Sequence, residues 1–162
     1  MDYDVTIIGA GVVGLATARK LSEAYGSLLI VDKEENFGRG ISSRNSEVVH
    51  SGIYYKQNSL KASLCIGGQG LLYEYCSKKS IPHNICGKLI VAQGNLGKKK
   101  LNDLLTNAKS NGVINGRLCS KEEISELEPN IHAECGLYFP TSGVVDSHQL
   151  MFNLLNDAKN NG

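Results

Sequence analysis

The sequence has no apolar run of about 18 residues, the length a helix needs to cross a bilayer, so no membrane span is expected. It has no CxxC pair. Its five cysteines (Cys65, Cys76, Cys86, Cys119 and Cys135) show no ligand-like spacing with histidine. An odd count without framework spacing points to buried thiols in a reducing compartment, and a cytoplasmic location is expected. There is no excess of one charge: Lys plus Arg is 17 and Asp plus Glu is 16. That balance gives no global attraction to nucleic acid, and the short clusters Lys78-Lys79 and Lys98-Lys99-Lys100 read as solvated faces. No internal repeat or low-complexity linker is present. Met1-Asp2-Tyr3-Asp4 leads almost directly into a strand, so no signal or transit peptide is expected. A chain of 162 residues suffices for one domain with a single core.

What is present is an α/β pattern. Val5-Thr6-Ile7-Ile8 reads as a buried strand, Val12 to Tyr25 as a helix stopped by Gly26, and Leu28 to Val31 as a second buried strand closed by Asp32. A helical crossover between two such strands implies that they are parallel. Residues 33–58 form a long polar segment, and long loops inside compact domains are usually functional. Leu60, Leu64, Leu71, Leu72 and Tyr75 recur at helical spacing, interrupted by Gly67, Gly68 and Gly70, each costing about 1 kcal/mol against alanine. Lys88 to Ala92 reads as a strand, and Leu101, Leu104, Leu105 and Ala108 as the stripe of a helix ended by Gly112. Ser120 with Glu123 is a capping box for a short helix that stops before Pro129. Cys135 to Phe139 and Gly143 to Val145 are strand candidates. Ser147 is expected to cap a last helix through Lys159, with Gly162 at C′. Residues 1–80 are expected to form a nucleotide-binding half, 84–140 part of a second sheet, and 141–162 a return to the first half.

Gly9-Ala10-Gly11-Val12-Val13-Gly14 is a GxGxxG that follows a predicted strand and opens a predicted helix, with Asp32 at the end of the next strand. In that context it is the dinucleotide-binding fingerprint. Gly9 makes the tight turn, Gly11 lets the backbone approach a pyrophosphate, and Gly14 lets helix and strand pack closely. The helix start at Val12 and Val13 offers unpaired N–H groups to phosphate, and Asp32, followed by Lys33, can accept ribose hydroxyls. The fingerprint alone does not separate FAD from NAD, but a carboxylate at this position disfavours a 2′-phosphate. The segment Ser42-Ser43-Arg44-Asn45-Ser46, leading to His50, is dense in groups that can donate to phosphate oxygens. Its alternative reading is a capped loop with a satisfied polar network. His83, His132 and His148 read as turn or surface residues, and Tyr54 and Tyr55 as packing residues.

The run from Ser42 to Tyr55 resembles the second signature of L-2-hydroxyglutarate dehydrogenase-like flavoproteins, within the D-amino-acid-oxidase-like class. So do Ser59-Leu60-Lys61-Ala62, Cys86 to Ala92, Leu127-Glu128-Pro129 and Thr141 to His148. The resemblance implies an incomplete Rossmann-like FAD-binding domain with part of a mixed or antiparallel substrate-domain sheet. It implies FAD as cofactor, held by Gly9, Gly11, Val12, Val13, Gly14, Asp32, Lys33, Ser42, Ser43, Arg44, Asn45 and Ser46. His50 is implied as the catalytic group beside the isoalloxazine ring. The implied reaction oxidises a small 2-hydroxy acid, L-2-hydroxyglutarate first, and passes electrons to an acceptor other than NAD. An amino acid or glycerol phosphate substrate, or a non-catalytic nucleotide-binding fragment, are the alternatives. Family members are more than twice this length, so a 162-residue chain is not expected to be competent alone. Arg44 stands where many members have histidine. Oligomeric state is left open.

Overall fold

The computed structural model describes residues Tyr3 to Asn161. In chain order its elements are β1 (Val5–Ile8), α1 (Val12–Leu21), β2 (Leu28–Val31), a 3-10 turn (Ile41–Ser43), β3 (Val48–Val49), α2 (Leu60–Lys78), β4 (His83–Asn84), β5 (Lys88–Ala92), α3 (Gly94–Ser110), β6 (Arg117–Cys119), α4 (Lys121–Leu127), β7 (Cys135–Phe139), β8 (Gly143–Val145) and α5 (Ser147–Asn161). They fall into two compact units. The first takes in the described residues up to Glu47, Cys76–Pro82 and those from Val145 onward. The second comprises Val48–Tyr75 and His83–Val144. Residues 48–75 therefore cluster with the second sheet region, not with the nucleotide-binding half to which the sequence pattern assigns them.

In the first unit β1 and β2 pair in parallel, Val5 opposite Leu28 through Ile8 opposite Val31, as the helical crossover requires. Leu15 and Ala18 of α1 are fully buried, as is Met151 of α5, with Leu154 and Ala158 nearly so. Asp157 of α5 binds Arg19 of α1 at 3.1 Å and also accepts from Lys79, while Asn161 donates to the Ser22 hydroxyl. The sequence pattern carries α1 to Tyr25, but the helix ends at Leu21. Ser22 turns its hydroxyl back onto the Arg19 carbonyl at 2.9 Å, the local competition by which serine ends helices. The expected cap of α5 is also corrected. Asp146, not Ser147, accepts from the Gln149 N–H at 2.9 Å, and Ser147 instead gives both its N–H and its hydroxyl to Glu47. The expected C′ residue, Gly162, lies outside the described residues. Ile8 and Val13 are 88% and 77% exposed, so apolar surface of this unit is open to water.

The second unit has two three-stranded sheets, ordered β3-β8-β4 and β5-β7-β6. β7 is antiparallel to both neighbours, with Ile90 opposite Leu137 and Leu118 opposite Leu137 from the other side. Its core gathers Ile53, Leu101, Ala108, Val113, Leu137 and Phe139. The Ser120–Glu123 capping box forms as predicted and starts α4. α2 runs through its glycines without a break. Of the thiols expected to be buried, Cys76 and Cys119 are, whereas Cys86 is exposed.

Candidate functional site

The turn between β1 and α1 has the geometry that the fingerprint predicts. Gly9 adopts φ +107°, a conformation that side chains rarely tolerate. At Gly14 a Cβ would lie 1.9 Å from the Gly9 carbonyl oxygen, so only glycine permits this helix–strand approach. Gly11 caps α1 with extended backbone. The Val12 N–H donates to the Ser42 hydroxyl at 3.0 Å, which leaves the hydroxyl proton free for a further acceptor. Asp32 accepts from the Ala10 N–H at 2.6 Å and the Glu34 N–H at 2.9 Å. These two bonds hold its carboxyl below the usual carboxylate range. The carboxylate thus stays ionised, with lone pairs left for hydroxyl donors.

In front of this turn lies an open cleft of about 830 Å³, bordered by Gly11, Asp32, Lys33, Arg39, Ser42 and Arg44, with Glu34 and Glu35 also on its wall. The helix N-terminus, a hydroxyl donor and two guanidinium groups suit a diphosphate, and Asp32 suits a ribose. The loop residues separate by role. Ser42 and Arg44 border the cleft. Ser43 donates to the Gly40 carbonyl at 3.2 Å, and the Asn45 amide ties Ser42 O to Glu47 N, so both hold the turn itself. Ser46 is exposed, and Val13 presents its side chain to water. Arg39 is an unpredicted member; a guanidinium between Gly38 and Gly40 in a loop after an acidic strand end is the signal that points to it.

His50 belongs to the second unit. Its loop continues through Gly52, at φ +87°, where a Cβ would lie 2.9 Å from Ile66. Two asparagines, Asn107 in the last turn of α3 and Asn111 at its C-cap, hold that loop. Asn107 donates to the carbonyls of Ile53 and Tyr55, and Asn111 to those of Gly52 and Tyr55, at 2.8 to 3.1 Å. The signal for this clamp is a pair of asparagines flanking the last apolar residue of the stripe, Ala108, before Gly112 ends the helix. Asn111→Ala would leave the Gly52 carbonyl without its side-chain donor and Tyr55 with Asn107 alone, at about 1–3 kcal/mol. The expected result is a lower melting temperature for the full-length protein, and an unchanged one would contradict the clamp.

The His50 ring lies 6.3 Å from that of Tyr55, centroid to centroid. Partial burial, then the ammonium groups of Lys88 and Lys61, push the imidazole below the usual histidine range. Both effects favour the neutral imidazole. Burial pushes both Tyr54 and Tyr55 above the usual phenol range, and Cys65 adds to the shift at Tyr55. Neither phenol can serve as a base near neutrality. Tyr54, expected to pack, is 49% exposed.

Residues 4–162 match the family model described as DAO, FAD dependent oxidoreductase. The chain belongs to this family of FAD-dependent oxidoreductases, and its cofactor is accordingly FAD. It is 47% identical over 152 residues to an L-2-hydroxyglutarate dehydrogenase, mitochondrial, of Arabidopsis thaliana, covering 94% of this chain and 32% of that protein. It is 41% identical over 162 residues to the Homo sapiens protein of the same name, covering 99% of this chain and 35% of the relative. The chain thus spans about a third of the length of these curated relatives. Among solved structures, L-alpha-glycerophosphate oxidase from Mycoplasma pneumoniae with FAD bound matches with a TM-score of 0.93 at 30% identity, over 99% of this chain and 44% of that one. Glycine oxidase from Geobacillus kaustophilus, at 22% identity and a TM-score of 0.87 over 99% and 45% of the two chains, shares the fold. No described helix is long and apolar enough to cross a membrane. The relatives are named as mitochondrial, against the cytoplasmic location expected from the cysteines.

Proposed function

We propose that the full-length protein carrying this chain is an FAD-linked dehydrogenase of small 2-hydroxy acids, with L-2-hydroxyglutarate as the first substrate to test. The observation that carries the reading is the setting of His50: its side chain is exposed at a recess shared with Tyr54, Tyr55 and Lys88, with the Tyr55 ring 6.3 Å away. The substrate follows the relatives' names. The Gly11 N–H, the Ser42 hydroxyl that Val12 orients, and the Arg39 and Arg44 guanidinium groups would take the FAD pyrophosphate, and Asp32 the adenosine ribose. FAD, when bound, supplies the acceptor for the hydride that leaves C2. His50 takes the hydroxyl proton, so that the alcohol carbon becomes a 2-oxo group. Electrons then pass to an acceptor other than NAD. The compartment to examine is the mitochondrion, as in the relatives, and not the cytoplasm.

The test is reduction of a dye by the full-length protein with L-2-hydroxyglutarate, beside L-glycerol 3-phosphate and glycine. Turnover of glycerol phosphate alone would favour the second reading, which the 0.93 TM-score to L-alpha-glycerophosphate oxidase supports. The reading also sets a pH profile. Only neutral His50 accepts a proton, and its lowered pKa keeps it neutral to more acid pH than an ordinary histidine. The acid limb of kcat/KM should therefore fall below about pH 6.5. A limb above that value would exclude His50 as the titrating base. The charges acting on it are Lys88 from β5 and Lys61 from α2, and the Tyr55 ring of its own loop lies beside it.

A further inference from the structure

Lys88 occupies an unusual place in its strand. In β5 the alternation puts Lys88, Ile90 and Ala92 in one row, and Ile90 and Ala92 pack into the core. Lys88 is paired with the fully buried Phe139. Lys88 is the one charged residue of an otherwise apolar strand, at its first position. Its ammonium sits 5.0 Å from the Tyr54 ring centroid, and the Lys61 ammonium 4.6 Å from that of Tyr55. Two adjacent tyrosines therefore each carry a cation, and both cations act on His50. Neither lysine has a carboxylate at ion-pair distance among the described residues. Lys88 is half-buried and Lys61 exposed, so an anion entering beside His50 would meet positive charge from two elements in a chain whose overall charge is near zero.

We propose that Lys88, assisted by Lys61, receives the remote carboxylate of a dicarboxylate substrate and so selects dianionic 2-hydroxy acids for the proton acceptor His50. The inference rests on the function proposed above and deepens it to a specificity device. An aliphatic tail of equal length would leave the two ammonium groups without an anion, whereas a carboxylate satisfies them. A site built around polar partners rejects the analogue that lacks them.

The experiment compares L-2-hydroxyglutarate with L-2-hydroxyvalerate, the same five-carbon chain ending in methyl, in the full-length flavoenzyme and its Lys88→Met, Lys88→Arg and Lys61→Met variants. Lys88→Met should lower kcat/KM for the dicarboxylate about 10- to 100-fold, mainly through KM, and for the monocarboxylate less than about 3-fold. Lys88→Arg should recover most of the loss, and Lys61→Met should give a smaller effect of the same kind. Equal losses on both substrates, or none on the dicarboxylate, would overturn the proposal. Titration of the same proteins with glutarate and with pentanoate, followed by flavin absorbance, separates it from the function it rests on. If the parent oxidises neither hydroxy acid, the proposed function fails. Glutarate binding weakened by Lys88→Met would then still uphold the dianion receptor, and glutarate binding that is absent or indifferent to Lys88 would end it.

Discussion

Alanine in place of Gly14 is expected to destabilise the nucleotide unit and strip the flavin from the full-length protein. The new methyl would sit 1.9 Å from the Gly9 carbonyl oxygen and 3.1 Å from its carbon. The obstacle is backbone, so no rotamer change relieves it. Either α1 moves off β1 or the Gly9 turn opens. Moving α1 disturbs Leu15 and Ala18, both fully buried. Overpacking typically costs 1–3 kcal/mol, and a backbone obstacle belongs at or beyond about 3 kcal/mol. Opening the turn displaces the Ala10 N–H from Asp32, the bond that fixes the carboxylate at the cleft. Gly11→Ala is the contrast. Its Cβ meets only the Ser42 hydroxyl, at 3.0 Å, and that side chain can rotate away. Gly11→Ala should therefore fold with a near-parental melting temperature, while Gly11→Val crowds the pyrophosphate and lowers flavin content. Thermal melts and flavin absorbance of the three variants check the argument. A Gly14→Ala protein with parental stability and parental flavin content would refute it.

The nucleotide turn was legible because every level of its sequence agrees: an apolar strand, three glycines at fixed spacing, a helix, a second strand and a terminal carboxylate. The capping box at Ser120 was legible for the same reason, since both partners lie within one turn. α2 was obscured by Gly67, Gly68 and Gly70. About 1 kcal/mol for each glycine is outweighed by tertiary packing through Ala62, Ile66 and Cys76. The end of α1 was missed because a serine's choice between solvent and its own backbone is made by local geometry, not by periodicity. The surroundings of His50 were the least legible. Asn107, Asn111, Lys61 and Lys88 reach that loop from three different elements, and no spacing rule links them. Lys88, the one cation of an apolar strand, and the asparagines at the end of α3 carried local signals, whereas Lys61 carried none. The split of the Ser42 to Ser46 run into cleft-facing and turn-holding residues was equally hidden, because serine and asparagine suit both roles.

His50→Ala, made in the full-length protein, is expected to lower turnover of a 2-hydroxy acid by about 10²- to 10⁴-fold, the usual range for loss of a positioned base. FAD content should be retained, because the groups that would hold the pyrophosphate and ribose belong to the first unit and His50 to the second. Removing the ring should not unfold its loop. The clamp from Asn107 and Asn111 acts on the carbonyls of Gly52, Ile53 and Tyr55 and makes no use of the imidazole. The loss should appear in kcat more than in KM, since a proton acceptor acts as the hydroxyl bond breaks. The acid limb assigned to His50 should vanish from the residual rate. His50→Gln, which keeps a hydrogen-bonding side chain without a titrating base, should resemble His50→Ala. If it instead recovers most of the rate, His50 orients the hydroxyl and does not take its proton. The same preparations test attachment. Noncovalent flavin leaves the parent on acid denaturation, whereas a His50–flavin bond would keep colour on the parent and release it only from the variants. Near-parental turnover of His50→Ala with FAD bound would remove His50 from the chemistry.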